Sequence, residues 1–159
     1  MKRMTKIDKS GRPFEIGASC PGDIGCLQDM YRTFDPRPGS QGLPPEGNDA
    51  CQEWVKKLFD IGENLLAWRG SRVVGHVALV PDVNGTSVEF VIFVDQEQRN
   101  LGIGTELTQV ALERCRQVGI DSVWLSVNVS NSVAIRLYKK VGFEYCDWDI
   151  CERMMRAKL

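Results

Sequence analysis

Hydrophobic positions along this chain of 159 residues alternate between short apolar runs and longer stretches at helical spacing. The clearest junction lies between residues 94 and 107. Val88 to Val94 is dense in Val, Ile and Phe, which predicts a strand. Leu107, Val110, Ala111, Cys115 and Val118 then recur at the spacing of an amphipathic helix. Upstream, Phe14 to Ala18 reads as a first strand, and Pro21-Gly22-Asp23 opens a helix through Leu27, Met30, Tyr31 and Phe34. The segment from Asp35 to Gly47 is dense in Pro and Gly and is read as a loop. Asn48 or Asp49 is the expected cap of a second helix carrying Trp54, Val55, Leu58 and Phe59. Leu65 to Trp68 and Arg72 to Val80 form a hairpin turning at Arg69-Gly70-Ser71, and Asn84-Gly85 marks the turn before the central strand. Trp124 to Val129 is a further strand, followed by a helix to Lys140, with Gly119 and Gly142 as C-terminal caps. Phe143 to Met155 predicts one or two strands. Residues 1–12 read as a flexible tail and 13–159 as one domain, with no repeat and no internal boundary.

Between strand and helix stands Gln98-Arg99-Asn100-Leu101-Gly102-Ile103-Gly104-Thr105. Two glycines at a helix start let backbone approach a ligand closely. They also leave amide N–H groups pointing outward, where the helix dipole favours an anion. This is a place to hold a phosphate. A dinucleotide fingerprint wants a third glycine where Leu107 stands, and a Walker loop wants Gly-Lys-Ser/Thr, which is absent.

The remaining pattern, Arg99-x-x-Gly102-x-Gly104 after an apolar strand, resembles the acyl-CoA signature of the GNAT (N-acetyltransferase) superfamily. A second block strengthens the resemblance: a strand from Trp124, then Asn131-x-x-Ala134-x-x-Leu137-Tyr138 on a helix, then Gly142-Phe143. The two motifs together cover about residues 87 to 145. The resemblance implies an α/β fold of mixed (α+β) type, in which helices flank a central twisted mixed β-sheet. It also implies acetyl-CoA as acyl donor. Asn100, Leu101, Gly102, Ile103, Gly104 and Thr105 would then offer backbone N–H groups to the pyrophosphate, with Arg99 adding charge at the rim. Ile92, Phe93 and Val94 would pair their backbone with the pantetheine arm, and the amide near Val94 would face the developing oxyanion. The alternative for Gly102 and Gly104 is a tight strand-to-helix turn with no ligand.

By the same resemblance, Asn131 positions the cofactor and Tyr138 meets the leaving sulfur. They stand seven residues apart, two helical turns, and so share a face. Complete proton transfer from a phenol near 10 to a thiolate near 8.5 is uphill by roughly 2 kcal/mol, so Tyr138 is better suited to donating a hydrogen bond. The other reading is a buried core tyrosine. Glu89 is the only carboxylate inside the central strand and shares a face with Val91 and Phe93. Freeing an amine with pKa about 10.4 at neutral pH costs about 4–5 kcal/mol, and a placed carboxylate helps accept that proton. Glu89 is therefore the candidate base, against a plain strand-end glutamate. Some family members carry a Glu on the next strand, where this chain has Ser126. His76 is read as a hydrogen-bonded interior histidine rather than a second base. Tyr31, Phe34 and Trp54, with Asp35, Glu46 and Asp49, are candidates for the acceptor cleft, although at helical spacing the aromatics read more readily as core.

Composition narrows the field. With 43% hydrophobic residues, 26% charged residues and a net charge of −1, nothing suggests wrapping around nucleic acid. No apolar run spans a membrane, and the basic N-terminus is not followed by a signal-like apolar segment. Cys20, Cys26, Cys51, Cys115, Cys146 and Cys151 form no Cys-x-x-Cys pair, and His76 is the lone histidine. No metal site is expected, and reduced thiols in a cytoplasmic protein are. The leading expectation is an N-acetyltransferase moving acetyl from acetyl-CoA to a primary amine by direct attack. The acceptor is a small-molecule amine, an amino acid or a protein lysine. The alternative is a catalytically idle acyl-CoA-binding or sensor module. Assembly is open, a homodimer included.

Overall fold

The computed structural model describes residues 2–35, 42–148 and 152–159. Among the described residues, eight strands build one continuous sheet. In chain order the elements are β1 (Met4–Ile7), β2 (Pro13–Ala18), α1 (Ile24–Arg32, entered through a 3-10 turn at Pro21–Asp23), α2 (Asn48–Ile61), β3 (Glu63–Arg69), β4 (Arg72–Pro81), β5 (Ser87–Val94), α3 (Ile103–Gln117), β6 (Ser122–Asn128), α4 (Ser132–Lys140), β7 (Glu144–Trp148) and β8 (Glu152–Lys158). The spatial order is β1-β2-β3-β4-β5-β6-β8-β7. Only the β5–β6 pair is parallel, joined by the right kind of link for parallel strands, the crossover helix α3.

Alternation along β5 separates two cores. Val88, Phe90, Ile92 and Val94 pack with Ile103, Leu107, Val110 and Ala111 of α3 and with Tyr138 of α4. Phe93 instead joins the cluster of α1 and α2, where Leu27, Met30, Tyr31, Cys51 and Val55 meet Leu66, Trp68 and Val73. Glu89 and Val91 share the Phe93 face by the two-residue period of a strand.

The sheet forks at its parallel pair. β5 and β6 are in register only at Ser87–Ser122, Val88–Val123 and Glu89–Trp124. Beyond Glu89 each strand stays paired on its outer side, β5 with β4 as far as Val94–Gly75 and β6 with β8 as far as Asn128–Glu152. The facing inner edges, from Phe90 and Leu125 onward, have no ladder partner in each other.

Two sequence expectations need correction. The segment read as a tail is ordered into β1 and a tight turn, because β1 pairs with β2 from Met4–Ile16 to Ile7–Pro13. The N-cap of α2 is Gly47 at φ 82°, and Asn48 is its first helical residue. The C-terminal stretch, read as one or two strands, forms two, with β8 inserted between β6 and β7. Residues 36–41 of the Pro/Gly-dense segment, and Cys151, lie outside the described residues.

Candidate functional site

The opening of α3 is built from backbone. Asn100 (φ 63°) and Gly102 (φ 88°) are both left-handed, and Gly102 is the N-cap. Its carbonyl accepts the first helical bond, from Glu106 N at 3.1 Å. No side chain caps the helix. The N–H groups of Ile103, Gly104 and Thr105 therefore lack an acceptor within the helix, and the dipole adds positive potential there. A Cβ on Gly104 would stand 3.3 Å from Leu137 Cδ1 and 3.5 Å from Val94 Cγ2. Glycine here lets α3, α4 and the end of β5 converge at the mouth of the fork.

Arg99 is directed back into the protein. Its Nε donates to Val94 O at 3.1 Å, its Nη2 donates to Asp35 O at 2.7 Å, and its guanidinium lies over the Phe34 ring at 5.2 Å. It ties the end of β5 to the chain leaving α1. Asn131 is the N-cap of α4, its Oδ1 accepting from Ala134 N at 3.1 Å.

Two side chains reach the point where the ladder ends, from opposite faces of the sheet. Tyr138 is buried on the α4 side, edge-on to Phe90 at 6.3 Å and tilted against Phe143 at 5.7 Å. Burial pushes its phenol well above the ordinary range, so it holds its proton and can donate a hydrogen bond. Glu89 is half-buried on the other face, beside Trp124 in register, and burial raises its carboxyl. A carboxyl shifted upward is a stronger proton acceptor once ionised.

His76 is fully buried and both ring nitrogens are engaged. Asn64 Nδ2 donates to Leu58 O at 2.9 Å and Gly62 O at 3.1 Å, which fixes Asn64 Oδ1 as the acceptor facing His76. His76 Nε2 thus donates to Asn64 at 2.9 Å, and its Nδ1 accepts from Tyr31 OH at 2.8 Å. Desolvation drops the imidazole to about 3, so it stays neutral. The trio pins α1, the end of α2, β3 and β4 together. Tyr31, Phe34, Trp54 and Phe93 close over it with ring centroids 5.4–5.9 Å apart. Cys115, also buried, has its thiol pushed up to about 11 and is a poor nucleophile.

A family model described as the acetyltransferase (GNAT) family matches residues 27–143, most of the chain. The chain belongs to the GNAT family. Its sequence is 37% identical over 134 residues to a mycothiol acetyltransferase of Sanguibacter keddieii, covering 80% of this chain and 42% of that one. A protein of the same name from Thermomonospora curvata is 39% identical over 134 residues, covering 83% and 43%. The chain thus spans less than half the length of these relatives. In fold, it resembles the GNAT domain of S. lividans PAT, with a TM-score of 0.81, 14% identity and coverage of 99% and 97%. The PaiA N-acetyltransferase of Thermoplasma acidophilum, solved in complex with coenzyme A, gives a TM-score of 0.72 at 21% identity, covering 92% and 99%.

Within this GNAT fold, residues 92–94 lie on the unpaired stretch of β5, 99–105 lead into α3, Tyr138 packs on Phe90 at the end of the ladder, and Glu89 stands there on the reverse face, while Asn131 caps α4 just beyond β6. Sequence reasoning missed the Tyr31–His76–Asn64 trio, whose partners lie 45 and 12 residues apart. It also missed the β1–β2 turn. The signal there was readable: Asp8-x-Ser10-Gly11 before Pro13 is a turn pattern in which an Asp side chain binds nearby backbone.

Proposed function

We propose that this chain is an acetyl-CoA-dependent N-acetyltransferase acting on a primary amine. The observation that carries the reading is the fork itself. It opens against an uncapped helix start, with a protonated phenol on one face and a raised carboxylate on the other.

The residues fit a CoA thioester. Ile103, Gly104 and Thr105 offer amides to a diphosphate, and the bare Gly104 lets α4 and the end of β5 pack close to them. The inner edge of Ile92, Phe93 and Val94 offers backbone to an extended amide-bearing arm, as an added strand would. Acetyl-CoA supplies the acyl group already activated as a thioester. Glu89, directly or through water, accepts a proton from the incoming ammonium. Tyr138 donates a hydrogen bond toward the sulfur as negative charge gathers there. The amine attacks the thioester carbon directly: the C–N bond forms as the C–S bond breaks, and the second proton of the nitrogen leaves on the CoA thiol. Cys115, buried with a raised pKa, is a poor nucleophile.

Relatives named mycothiol acetyltransferase, and a structural neighbour described as a spermidine N-acetyltransferase, support a small-molecule amine as acceptor. The test is release of free CoA thiol from acetyl-CoA across a panel of amines, amino acids and lysine peptides. Acceptor-dependent thiol release on a small amine supports the reading. Saturable CoA binding with no release on any acceptor would overturn it in favour of a non-catalytic binding module.

A further inference from the structure

The turn of the N-terminal hairpin is locked onto the opening of α3. Asp8, its side chain fully buried, accepts at Oδ1 from Ser10 N (2.8 Å), Ser10 Oγ (2.6 Å) and Arg12 N (3.0 Å). Its Oδ2 accepts from Arg69 Nη2 at 2.6 Å. These bonds, that from Ser10 foremost, hold its carboxyl well below the usual range. Arg69 passes the restraint on, its Nε donating to Gln98 Oε1 at 3.1 Å, one residue before Arg99. On the other side Lys9 N donates to Leu101 O at 2.9 Å. The turn is therefore tied to both ends of the segment Gln98–Leu101.

This places Lys9 against the N-cap of α3. Its Cγ, Cδ and Cε run 3.4, 3.9 and 3.6 Å from where a Cβ of Gly102 would sit. Its ammonium is one C–N bond, about 1.5 Å, beyond that stem. The side chain is exposed, and no ion pair is recorded for it among the described residues. The neighbouring Lys6 is differently employed: its Nζ lies 3.0 Å from Glu106 Oε2 in the first turn of α3. Lys6 thus offsets the carboxylate in the first turn of α3, Arg69 offsets Asp8, and Lys9 adds a cation over the same turn.

We propose that Lys9 is a further ligand of the donor's diphosphate, brought to the α3 amides by the hairpin turn. The inference rests on the reading that those amides receive the diphosphate, and it names a side chain outside both sequence motifs. Asp8 acts through Lys9 and the Gln98–Leu101 segment as a positioning residue. The anchoring bonds mean that little freedom is lost when the anion arrives.

The test is calorimetric binding of CoA and of dephospho-CoA to the wild-type chain and to K9A, K9R, K57A and G104V. Folding is checked by thermal melting. K9A should lose roughly fivefold in CoA affinity, with a shallower dependence on added salt, while K9R retains most of it. The same ratio should persist with dephospho-CoA, which keeps the diphosphate. K57A, an equal charge change on the exposed face of α2, should bind as wild type. Equal CoA affinity in K9A and wild type, with G104V weakened, would overturn the role of Lys9 and leave the α3 reading standing. Unaltered binding in a folded G104V would overturn that reading itself. A K9A defect that vanishes with dephospho-CoA would overturn the diphosphate assignment.

Discussion

The two helices that follow the arms of the fork begin in opposite ways. α3 opens on Gly102, which has no side chain to give, and its first-turn amides stay available. α4 opens on Asn131, whose own oxygen takes up Ala134 N. One helix start is left for an anion and the other is closed by the chain itself. What α4 contributes instead is a side chain two turns further on, the buried Tyr138. On the proposed reading, donor binding falls mainly to backbone at α3, and chemistry to side chains of α4 and β5.

Gly104→Val strikes the open start directly, since its branches meet Leu137 and Val94. It should lower kcat/KM for acetyl-CoA about a hundredfold, mostly through weaker donor binding. Steady-state kinetics with varied donor checks this, and an unchanged KM would break the comparison. Glu89→Gln touches neither helix start and should lower kcat about thirtyfold with little change in donor KM. Its pH profile is the sharper reading. Protonated Glu89 cannot accept a proton, so activity rises as pH climbs through its pKa, which burial places above the ordinary 4.5. The acid limb of kcat/KM for the amine should belong to Glu89 and disappear in the variant. Tyr138→Phe should lower kcat about tenfold at saturating donor while leaving CoA affinity near wild type. Asn131→Ala uncaps α4 and should cost about 1 kcal/mol of stability in urea unfolding. A larger loss of CoA affinity than of stability would show that Asn131 serves the donor as well as its own helix.

The same division explains what the sequence revealed. A helix start built on backbone leaves its mark in consecutive residues, so Gly102 and Gly104 between an apolar strand and a helix, together with the second motif, marked where α3 opens. Tyr138 was reachable because it shares one helix with Asn131. The alternation of β5 was also legible: it put Glu89 on one face with Val91 and Phe93, which the structure turns away from α3. The α1–α2 side was less legible. His76 reads as an interior histidine, but its tautomer depends on Asn64, which is oriented by carbonyls of α2, and on Tyr31 from α1. Arg99 reads as a rim charge, yet its donors go to Val94 O and Asp35 O, the latter 64 residues away. Long-range side-chain pairing of this kind leaves no local period or motif. The N-terminal strand was lost for a related reason: a four-residue edge strand is only as ordered as the neighbour it pairs with.

The availability of the α3 amides can be read one group at a time. In amide proton–nitrogen correlation spectra of the chain titrated with CoA, Ile103, Gly104 and Thr105 should show the largest shifts, with Val133 and Ala134 at the start of α4 nearly still. Shifts of equal size at both helix starts, or none at residues 103–105 under saturation, would contradict the account.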